Sequence, residues 1–590
     1  MAKEDCRFAL FDSDDGRALL LSEYHRTLSF DGRFSLDVFF AELEAASARG
    51  EWVALAADYA LGGCFETRTP QASFKRPPLR AWIFSRAQWL AAEEISVFIE
   101  QRMASLQAHE RVAGVAEIKP ALDADRYVEH VEQIRRWIVE GDCYQINLTF
   151  PLDFQVYGHP LALYARLRER QPVRYGAFLA TPEDSVLSFS PELFFERTGR
   201  RVTTRPMKGT APRGLTPEDD VARRSALMSS AKERAENIMI VDLLRNDLGR
   251  LAAPGQVRVD ALCATEAYPT LWQMVSTVSA DLPGVRLVDI FRALFPCGSI
   301  TGAPKIRAMQ RIAELEKEER GLYTGALGWI APDGDCRFNV AIRTLEIQSD
   351  GRGRMGVGSG IVIDAQPYNE YAECLLKARF LTGFDPGFEL IETLRLDRGE
   401  CPLLSLHLQR MEASARALGF AVDKSAILAS LQAECSRTPD GVHRVRLTLA
   451  HDGKFRINVA PLPDEKRAWQ VIFADEVLDA DNTLLRHKTT ARSSYDRVLA
   501  GLPDGVFDAI FLNTRGEVSE GARSNVFIEC DGVLLTPPLR CGLLPGVMRR
   551  HLLESGRAVE QVLTVDDLRD ASVLCLGNAL RGLIPVTLKR

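Results

Sequence analysis

The stretch "SALMSSAKERAENIMIVDLLRNDLGRL", residues 225–251, is a strongly helical block in the first half of the chain. Strand-like segments precede it ("YGAFLAT", "SVLSFSPELFFER" and "RVTTRP"), and others follow it ("LYTGALGWIA", "FNVAIRTLEI" and "RMGVGSGIVID"). Alternating apolar residues predict the strands, and apolar residues at helical spacing predict the helix. Strands and helices combined in this way predict a large α+β unit.

The same pattern extends to both sides of this block. Residues 123–150, "DADRYVEHVEQIRRWIVEGDCYQINLTF", predict a helix that leads into an alternating strand. Near residue 385, Gly383, Pro386 and Gly387 form a credible joint, after which a fresh pattern begins. We therefore expect three parts of the chain, which are residues 1–115 without an assignable motif, residues 116–384 and residues 385–590.

Composition narrows the class of protein. The chain has 590 residues, too many for one core, with 46% hydrophobic and 26% charged residues and a formal net charge of −7. This mild acidity gives no reason to expect nucleic acid as a partner, and no apolar run has the length of a membrane span. The acidic start does not suit a signal peptide, and the twelve cysteines are scattered. We expect a reduced, cytoplasmic enzyme.

Two pairs of glutamates have helical spacing. Glu233 and Glu236 are three residues apart, as are Glu370 and Glu373, so each pair projects from one helix face. Such pairs are usually solvated, but the helix after Glu236 is mostly apolar, and a carboxylate beside a core needs a partner. Four carboxylates brought together would require a divalent cation, and oxygen ligands suit Mg²⁺.

Three further features have both an ordinary and a functional interpretation. The glycine-rich segments "GSITGAPK" (298–305) and "GVGSGIV" (356–362) are either plain turns or sources of backbone N–H groups for an anion. Arg343 lies in a strand-like run, where a guanidinium can pair with a carboxylate. Lys208, in "TTRPMKGTAPRG" (203–214), is predicted in a short turn, where a lysine is most often a solvated charge.

Residues 120–381 resemble the chorismate-utilising enzymes, which include anthranilate, isochorismate and salicylate synthases, with aminodeoxychorismate synthase component I nearest. The resemblance is carried by ordered blocks that include "GDCYQINLTF", "SFSPELFF", "RPMKGTAPRG", "KERAENIMIVDLLRNDLGR" and "GSITGAPKIRAM". It implies a β-sandwich/α domain that binds chorismate, with a Mg²⁺ ion held by Glu233, Glu236, Glu370 and Glu373. It also implies substrate contacts from Arg343, Tyr323, Thr301, Gly358, Ser359 and Gly360.

The same resemblance assigns chemistry to two residues. Glu192 matches the proposed general acid for the departing ring hydroxyl, a role that needs a raised pKa. Lys208 stands where anthranilate synthases have alanine. Its uncharged amine would attack ring carbon 2 and expel the hydroxyl at carbon 4, after which ammonia would add at carbon 4. The expected product is 4-amino-4-deoxychorismate.

The first half departs from its relatives in two respects. Gln273 stands where some relatives have histidine, and glutamine cannot transfer protons. The N-terminal region is weakly matched and carries no clear copy of the tryptophan feedback motif. In addition, no glutaminase sequence is present, so we expect ammonia to come from a separate glutamine amidotransferase subunit.

Residues 388–588 resemble fold-type IV pyridoxal-phosphate enzymes, which have an α/β fold and include branched-chain and D-amino acid aminotransferases and aminodeoxychorismate lyase. The resemblance lies in "HLQRM", "LLRHKTTARSSYDRVLA", "VSEGARSNVF", "PGVMRR" and "LGNALRG". It implies that Lys488 binds the cofactor aldehyde and shuttles protons, and that Glu520 pairs with the pyridine nitrogen. It further implies cofactor contacts from Arg410, Val547, Met548 and Asn578, of which the "NAL" context of Asn578 is more like the lyase.

The two halves together predict a bifunctional enzyme that makes 4-aminobenzoate, a folate precursor, in two sequential steps: amination of chorismate by the first half and elimination of pyruvate by the second. Relatives of the second half usually carry about 25 more residues before the "ETLR" strand. We therefore expect the smaller lobe of this pyridoxal-phosphate domain to be short, or to be completed by the segment that links the two halves. We also expect a homodimer formed through the C-terminal domain. The alternatives are anthranilate or isochorismate synthesis by the first half, and for the second half an amino acid aminotransferase or a silent dimerisation module.

Overall fold

The computed structural model of the chain describes residues 7–66, 68–69, 74–181, 183–268, 271–438, 440–462 and 469–589. The first six residues, on which part of the expectation about a signal peptide rests, lie outside this range. No helix among the described residues is long and apolar enough to cross a membrane.

The helices are numbered in chain order. They are α1 (Leu36–Ala48), α2 (Gly62–Phe65), α3 (Ala92–Ala104), α4 (Ala124–Val139), α5 (Pro160–Arg170), α6 (Pro217–Ser229), α7 (Ala231–Gly249), α8 (Leu287–Leu294), α9 (Lys305–Leu315), α10 (Pro367–Lys377), α11 (Arg379–Thr382), α12 (Leu404–Leu418), α13 (Lys424–Arg437), α14 (Ser493–Ala500), α15 (Val547–Glu554) and α16 (Val565–Asp570).

The strands up to residue 361 are β1 (Ala9–Asp12), β2 (Ala18–Phe30), β3 (Trp52–Ala57), β4 (Leu79–Leu90), β5 (Gly114–Pro120), β6 (Gln145–Tyr157), β7 (Ala177–Ala180), β8 (Asp184–Ser188), β9 (Leu193–Thr198), β10 (Arg201–Arg205), β11 (Met207–Pro212), β12 (Val257–Ala267), β13 (Leu271–Asp281), β14 (Gly302–Ala303), β15 (Ala326–Ile330), β16 (Cys336–Val340), β17 (Thr344–Gln348) and β18 (Arg352–Ile361).

The later strands are β19 (Leu390–Asp397), β20 (Val442–Leu449), β21 (Phe455–Pro461), β22 (Gln470–Leu478), β23 (Val506–Asn513), β24 (Val518–Gly521), β25 (Asn525–Cys530), β26 (Val533–Thr536), β27 (Ala558–Glu560), β28 (Leu574–Asn578) and β29 (Gly582–Leu588). The chain divides into two compact units. Unit 1 comprises Met1–Arg102, Lys119–Asp153 and Tyr164–Leu381, and unit 2 comprises Met103–Ile118, Phe154–Leu163 and Thr382–Arg590.

Unit 1 is built on antiparallel strand pairs covered by helices, as the α+β prediction requires. The strand β13 pairs with β10, β11 and β12, and so supports β11, the strand that contains Lys208. Aromatic rings fill the core beside it, with Phe195 and Phe291 at a centroid distance of 5.5 Å and Phe291 and Phe338 at 5.1 Å. Large buried rings of this kind contribute much of the apolar area that a core removes from water.

The helical block of residues 225–251 is two helices rather than one. Ser230 has an extended backbone conformation (φ −62°, ψ 112°), and its hydroxyl accepts a 3.4 Å hydrogen bond from the amide of Glu233. A serine in this position satisfies an amide that the first helical turn leaves without a partner. Glu233 therefore stands in the first turn of α7, next to the break.

Unit 2 contains a three-stranded antiparallel sheet, β19–β20–β21, and a second sheet in which β22 pairs in parallel with β23 and β29. The first sheet packs against α12 and α13 through a cluster that includes Leu394, Met411 and Leu447. Ala116 and Tyr157, from the first half of the chain, belong to the same cluster. The unit thus uses two short segments that precede the predicted joint at residue 385.

One strand expected in this unit does not form. The pattern of residues 388–420 predicts two strands followed by a helix, but after β19 these residues form only an isolated bridge between Asp397 and Glu400 before α12. Arg398, Gly399 and Leu403 all have positive φ values, so the backbone turns twice before α12. This conformation is incompatible with an extended second strand.

Candidate active sites

Lys208 lies in a strand, not in the turn that its glycine and proline neighbours predict. It belongs to β11, where the pairing with β13 changes register: Met207 faces Val275 and Thr210 faces Gln273. Three steps along β11 match two along β13, so one extra residue is accommodated in a bulge, with Gly209 at φ +84°. Bulges turn side chains out of the regular alternation of a strand and are common beside active sites.

The bulge lies against the start of α7. A Cβ atom added to Gly209 would be 2.9 Å from Oε2 of Glu233, so the carboxylate occupies the space beside this glycine. The charge of Lys208 also acts on Glu233 and on Glu192, because in both cases it lowers the carboxyl pKa. Lys208 is therefore positioned close enough to both acids to interact with them.

Glu192 is a buried acid that accepts a hydrogen bond from a neighbouring serine. It is 5% exposed, and its Oε1 accepts a 2.8 Å hydrogen bond from the hydroxyl of Ser299. Burial raises the pKa of Glu192 to about 7, although Ser299 and Lys208 act in the opposite direction. A carboxyl group with this pKa is substantially protonated near neutral pH and can donate a proton.

Gln273 holds the strand that contains Lys208 in place by hydrogen bonds to the next two residues. Its Nε2 donates a 2.8 Å hydrogen bond to the carbonyl of Gly209, and its Oε1 accepts a 3.0 Å hydrogen bond from the hydroxyl of Thr210. An amide side chain has both the donor and the acceptor that this arrangement needs. The residue that departs from some relatives thus has a structural role beside the lysine.

The two glutamate pairs lie on α7 and α10, as their spacing predicts. Burial raises the pKa of Glu233, and the charges of Glu236 and Glu373 raise it further. Within the described residues, however, no three His, Cys, Asp or Glu side chains are placed to hold a metal ion. Glu370 accepts a hydrogen bond from Ser359, and Glu373 is 2.8 Å from Nζ of Lys377. Glu236 and Glu373 are thus near enough to Glu233 to act on its charge, but the four carboxylates are not gathered into a ready-made ligand set.

Arg343 does not lie within a strand. It occupies the break between β16 and β17 with φ +51°, and its carbonyl accepts a 3.0 Å hydrogen bond from the amide of Phe189. Burial lowers the pKa of Arg343, and no carboxylate in the described part of the chain forms an ion pair with its guanidinium. A partly buried guanidinium without a carboxylate partner is suited to an anionic ligand.

The second glycine-rich segment belongs to a strand, as the pattern of "RMGVGSGIVID" predicts, and is not a plain turn. Residues 356–361 belong to β18, where the glycines leave room for neighbours: a Cβ on Gly356 would be 2.1 Å from the ring of Tyr323, and one on Gly358 would be 2.7 Å from the carbonyl of Leu148. On Gly360, a Cβ would be 2.5 Å from Nε2 of Gln145. Close packing, not loop flexibility, accounts for these glycines.

Tyr323 and Thr301 are both buried. Burial raises the pKa of the Tyr323 hydroxyl, which therefore stays protonated. The hydroxyl of Thr301 donates a 2.8 Å hydrogen bond to the carbonyl of Cys297, and the Thr301 carbonyl accepts a 3.0 Å bond from the amide of Asn147. Thr301 thus holds residues 298–305, the segment that also carries Ser299, in place against β6.

Unit 2 contains a cavity of about 1160 Å³. It is lined by Lys488, Glu520, Arg410, Val547 and Asn578, which are separated by up to 168 positions in the sequence. This volume is somewhat above the roughly 300–1,000 Å³ of most small-molecule sites, which leaves room for a cofactor together with a small substrate. These five expected contacts therefore share one site.

Lys488 is the buried amine of this cavity. Burial lowers its pKa to about 8, and the neighbouring charges of Arg410 and Arg492 act in the same direction. Lys488 follows His487, and its carbonyl accepts a 2.9 Å hydrogen bond from the amide of Ile391 in β19. A lysine with this pKa has an appreciable neutral fraction near pH 7, which attack on an aldehyde requires.

Glu520, at the end of β24, is held on both oxygens. The hydroxyl of Tyr495 donates to Oε1 at 2.7 Å, and the amide of Leu544 donates to Oε2 at 3.0 Å. Burial raises the pKa of Glu520 to about 7, against the lowering effect of these two hydrogen bonds. The acid is thus oriented and can change its charge near neutral pH.

Arg410 is engaged by a carboxylate that the sequence analysis did not identify. Its Nε and Nη2 donate to the two oxygens of Glu392 at 2.8 and 2.6 Å, and Nδ1 of His407 lies 2.6 Å from Oε2. Burial alone would raise the pKa of Glu392, but Arg410 and His407 lower it to about 2. The one sequence signal that could have indicated this cluster is the spacing of His407 and Arg410, which lie one turn apart on α12.

The remaining expected contacts differ in how they face the cavity. Val547 begins α15, whose N-cap residue Gly546 has no side chain to cover the first amides. Met548 packs its side chain into a neighbouring apolar cluster, so only its amide can serve the expected role. Asn578 lines the cavity, and its Oδ1 accepts hydrogen bonds from the amides of Leu580 at 3.1 Å and Arg581 at 2.9 Å.

Comparison with known proteins agrees with this division of sites. Residues 37–383 match the family described as chorismate binding enzyme, and residues 389–588 match the family described as amino-transferase class IV. The chain belongs to the chorismate binding enzyme family. A chorismate-binding domain is therefore followed by a fold-type IV aminotransferase domain, as the sequence predicts.

Individual relatives cover parts of the chain. It is 44% identical over 255 residues to aminodeoxychorismate synthase component 1 of Bacillus subtilis, an alignment that covers 43% of this chain and 54% of the relative. It is 42% identical over 256 residues to anthranilate synthase component 1 of Streptomyces coelicolor, covering 43% of this chain and 50% of that protein. The chain spans about half the length of these curated relatives.

A solved structure supports the fold of the first half. The crystal structure of anthranilate synthase component I from Streptococcus pneumoniae TIGR4 superimposes with a TM-score of 0.53 at 25% identity, covering 62% of this chain and 91% of that chain. Relatives with two different names have nearly the same identity, so overall similarity does not distinguish between the reactions. Only the residues of the site can distinguish between the reactions.

Proposed function

We propose that the chain makes 4-aminobenzoate in two steps, amination of chorismate to 4-amino-4-deoxychorismate in unit 1 and elimination of pyruvate in unit 2. The observation that supports the first step most strongly is the bulge that holds Lys208 beside Glu192 and Glu233. A lysine that only served as a surface charge would need neither the bulge nor the acids.

In the first step the Lys208 amine attacks ring carbon 2 of chorismate. The double bonds of the ring shift, the bond from carbon 4 to its hydroxyl breaks, and Glu192 supplies the proton that lets the hydroxyl leave as water. Ammonia then attacks carbon 4, the double bonds return, and the bond from carbon 2 to Lys208 breaks. Chorismate and ammonia thus give 4-amino-4-deoxychorismate and water. The raised pKa of Glu192 supports its role as the acid.

Other residues of unit 1 would hold the substrate. Arg343 would pair with one carboxylate, and Tyr323, Thr301 and the backbone of residues 358–360 would complete the contacts. The ion Mg²⁺ suits oxygen donors and would be held by Glu233, Glu236, Glu370 and Glu373. Its charge would offset the burial and the repulsion that together raise the pKa of Glu233. Because Lys377 already contacts Glu373, this ion would join a partly compensated group of charges.

In the second step unit 2 would use pyridoxal phosphate, which supplies an electron sink when bound. Lys488 would hold the aldehyde until the ring amine of the substrate replaces it there, and its freed amine would then remove the proton from ring carbon 4. The bond between carbon 3 and the ether oxygen breaks, and the released enolpyruvate takes up a proton to become pyruvate. Glu520 would face the pyridine nitrogen, and the amides of Val547 and Met548 would meet the phosphate at a helix N-terminus, with Arg410 nearby.

Two partners complete the proposal. Ammonia would come from a separate glutamine amidotransferase subunit, because the sequence of this chain has no recognisable glutaminase motif. A second copy of the chain would pair through the C-terminal domain. Both partners follow from the resemblance of the two halves to their families, and size measurement of the chain with and without an amidotransferase tests them.

Product identification tests the proposed function. The purified chain is incubated with chorismate, an ammonium salt, Mg²⁺ and pyridoxal phosphate, and the products are separated by liquid chromatography with mass detection. We expect 4-aminobenzoate and pyruvate in equal amounts. Accumulation of 4-amino-4-deoxychorismate would reject the lyase step, whereas anthranilate would reject the assignment of Lys208 and favour the reaction named for the Streptomyces coelicolor relative.

A further inference from the structure

The cavity of unit 2 has a wall that comes from outside the aminotransferase domain. Gln107, Ala108, His109 and Val112 line it together with Lys488. These four residues lie within the range matched by the chorismate binding enzyme family and almost 300 residues before the range matched by amino-transferase class IV, which begins at residue 389. We call residues 103–112 the wall segment.

The backbone of the wall segment is fixed by its own hydrogen bonds. The carboxylate of Glu110 accepts a 2.7 Å bond from the amide of Gln107, and Arg111 donates to the carbonyls of Ala104 at 2.7 Å and Leu106 at 3.1 Å. These bonds close a compact turn. The side chains of Gln107 and His109 therefore project from a defined backbone rather than from a flexible loop.

The turn is also anchored to the rest of unit 2. The amide of His159 donates a 2.8 Å hydrogen bond to the carbonyl of Glu110, and Gly158, at φ +74°, lies so close that a Cβ would be 2.4 Å from the carbonyl of Val112. Val112 packs against the cluster that contains Leu484, which itself lines the cavity. The segment is thus part of the core that supports the site.

Gln107 and His109 are the two polar side chains of the wall segment that line the cavity. Neither Gln107 nor His109 makes a side-chain hydrogen bond to another residue in the described ranges of the chain, although both line the cavity. Arg444 and Arg446, at alternate positions of β20, also line it and likewise have no carboxylate partner there. The cavity therefore offers uncommitted hydrogen-bond donors on two of its walls, which suits a substrate with carboxylate groups.

We propose that Gln107 and His109 are specificity-determining residues of the second active site and donate hydrogen bonds to a carboxylate of its substrate. This inference rests on the proposed function, in which that substrate is a dicarboxylate with a ring amine. The wall segment completes the substrate side of the cavity, and Lys488 and Glu520 serve the cofactor side. Residues from the first half of the chain thereby determine which substrate binds at the active site of the second half.

Steady-state kinetics of the full-length chain tests the proposal. The variants Gln107→Ala, His109→Ala and the double variant are compared with Gln101→Ala, an exposed residue of α3 that does not line the cavity. Each protein is loaded with pyridoxal phosphate and supplied with 4-amino-4-deoxychorismate, and pyruvate release is measured. Absorbance of the bound cofactor is recorded separately, as is amination of chorismate by unit 1.

We expect KM to rise about tenfold for each single variant and by more for the double variant, because each loses one hydrogen bond to a charged group. Cofactor content and amination should match the Gln101→Ala control, and His109→Gln, which retains a donor, should recover part of the loss. An unchanged KM in the double variant would overturn the proposal, and so would loss of cofactor, which would indicate mere structural support. If the unaltered chain releases no pyruvate, the proposed function fails instead.

Discussion

The hydroxyl of Tyr495 lies 2.7 Å from Oε1 of Glu520, so a phenol and a buried acid share a hydrogen bond at the cavity of unit 2. This bond lowers the pKa of Glu520, whereas burial raises it, and the balance is a value of about 7. The charge of Glu520 is therefore sensitive to a small change in its surroundings. Tyr495 controls this charge without being a residue that the sequence analysis identified.

Replacing Tyr495 by phenylalanine should impair the second reaction most strongly at low pH. The variant loses the bond that lowers the pKa of Glu520, so the acid remains neutral to a higher pH. Since the ionised form is needed opposite a pyridine nitrogen, the acidic limb of the pH–rate profile should move upward by about one pH unit. Pyruvate release measured between pH 5 and 9, with Tyr24→Phe as control, gives the acidic and basic limbs of the pH–rate profile. An unmoved acidic limb would contradict this role.

Glu192→Gln should nearly abolish amination of chorismate. Glutamine keeps the shape and can still accept the bond from Ser299, but it cannot donate a proton to the departing hydroxyl, so we expect a loss of roughly 10²–10⁴-fold. In the unaltered chain the acid must be protonated, and activity should fall as the pH rises through about 7. Single-turnover amination across this range is the measurement. A variant that retains a tenth of the rate would exclude Glu192 as the acid.

Gln273→Leu should reduce amination without abolishing it. The change removes the hydrogen bond to the Gly209 carbonyl and the one from the Thr210 hydroxyl, so Lys208 loses its fixed position and kcat should fall by about tenfold. Thr210→Val removes only one of these bonds and should have a smaller effect. Because both variants affect one contact, the double variant should lose less than the product of the two effects. Full additivity would show that the two residues act separately.

Arg410→Ala should destabilise unit 2. Glu392 is 1% exposed and loses its bidentate partner, and removal of one member of a buried pair costs about 3–5 kcal/mol. Arg444→Ala, which removes an exposed arginine, should cost less than about 0.5 kcal/mol. Hydrogen exchange of α12 and β19 measures the local change. Equal protection in the two variants would contradict the prediction.

The same carboxylate predicts a dependence of stability on pH. The folded-state pKa of Glu392, about 2, lies below its ordinary value of 4.5. The stabilisation that this group contributes is therefore complete above the unfolded value and is lost as the pH falls towards 2. In Glu392→Gln this part of the acid dependence should be absent, which denaturant titration of unit 2 at several pH values would reveal.

Much of the fold was predictable from local patterns, because apolar periodicity reflects which face of an element is buried. The helix α4 has its buried residues Tyr127, Val131, Ile134 and Trp137 at the predicted spacing. The packing role of glycine was less predictable: Gly356 and Gly358 lie in the predicted strand, close to Tyr323 and Leu148. A single sequence does not reveal which distant residue fills the space beside a glycine.

The sites show the same limit. The resemblance named Lys488, Glu520 and Arg410, which the fold brings to one cavity, but not Glu392, which orients Arg410 from another element. The bulge at Lys208 was equally hidden, since it depends on the register of β11 against β13. Long-range pairing of this kind is a property of the folded chain, so residues that position others are the ones that sequence patterns miss.

The central claim is that Lys208 forms a covalent bond to ring carbon 2 of chorismate. Its most direct test is mass spectrometry of the chain incubated with chorismate and Mg²⁺ in the absence of ammonia, with Lys208→Ala and Lys232→Ala as the active-site variant and its control. The account predicts a mass increase equal to chorismate less one water, located on the peptide that contains Lys208, in the unaltered chain and Lys232→Ala only. Absence of this adduct, together with undiminished formation of 4-amino-4-deoxychorismate by Lys208→Ala, would contradict it.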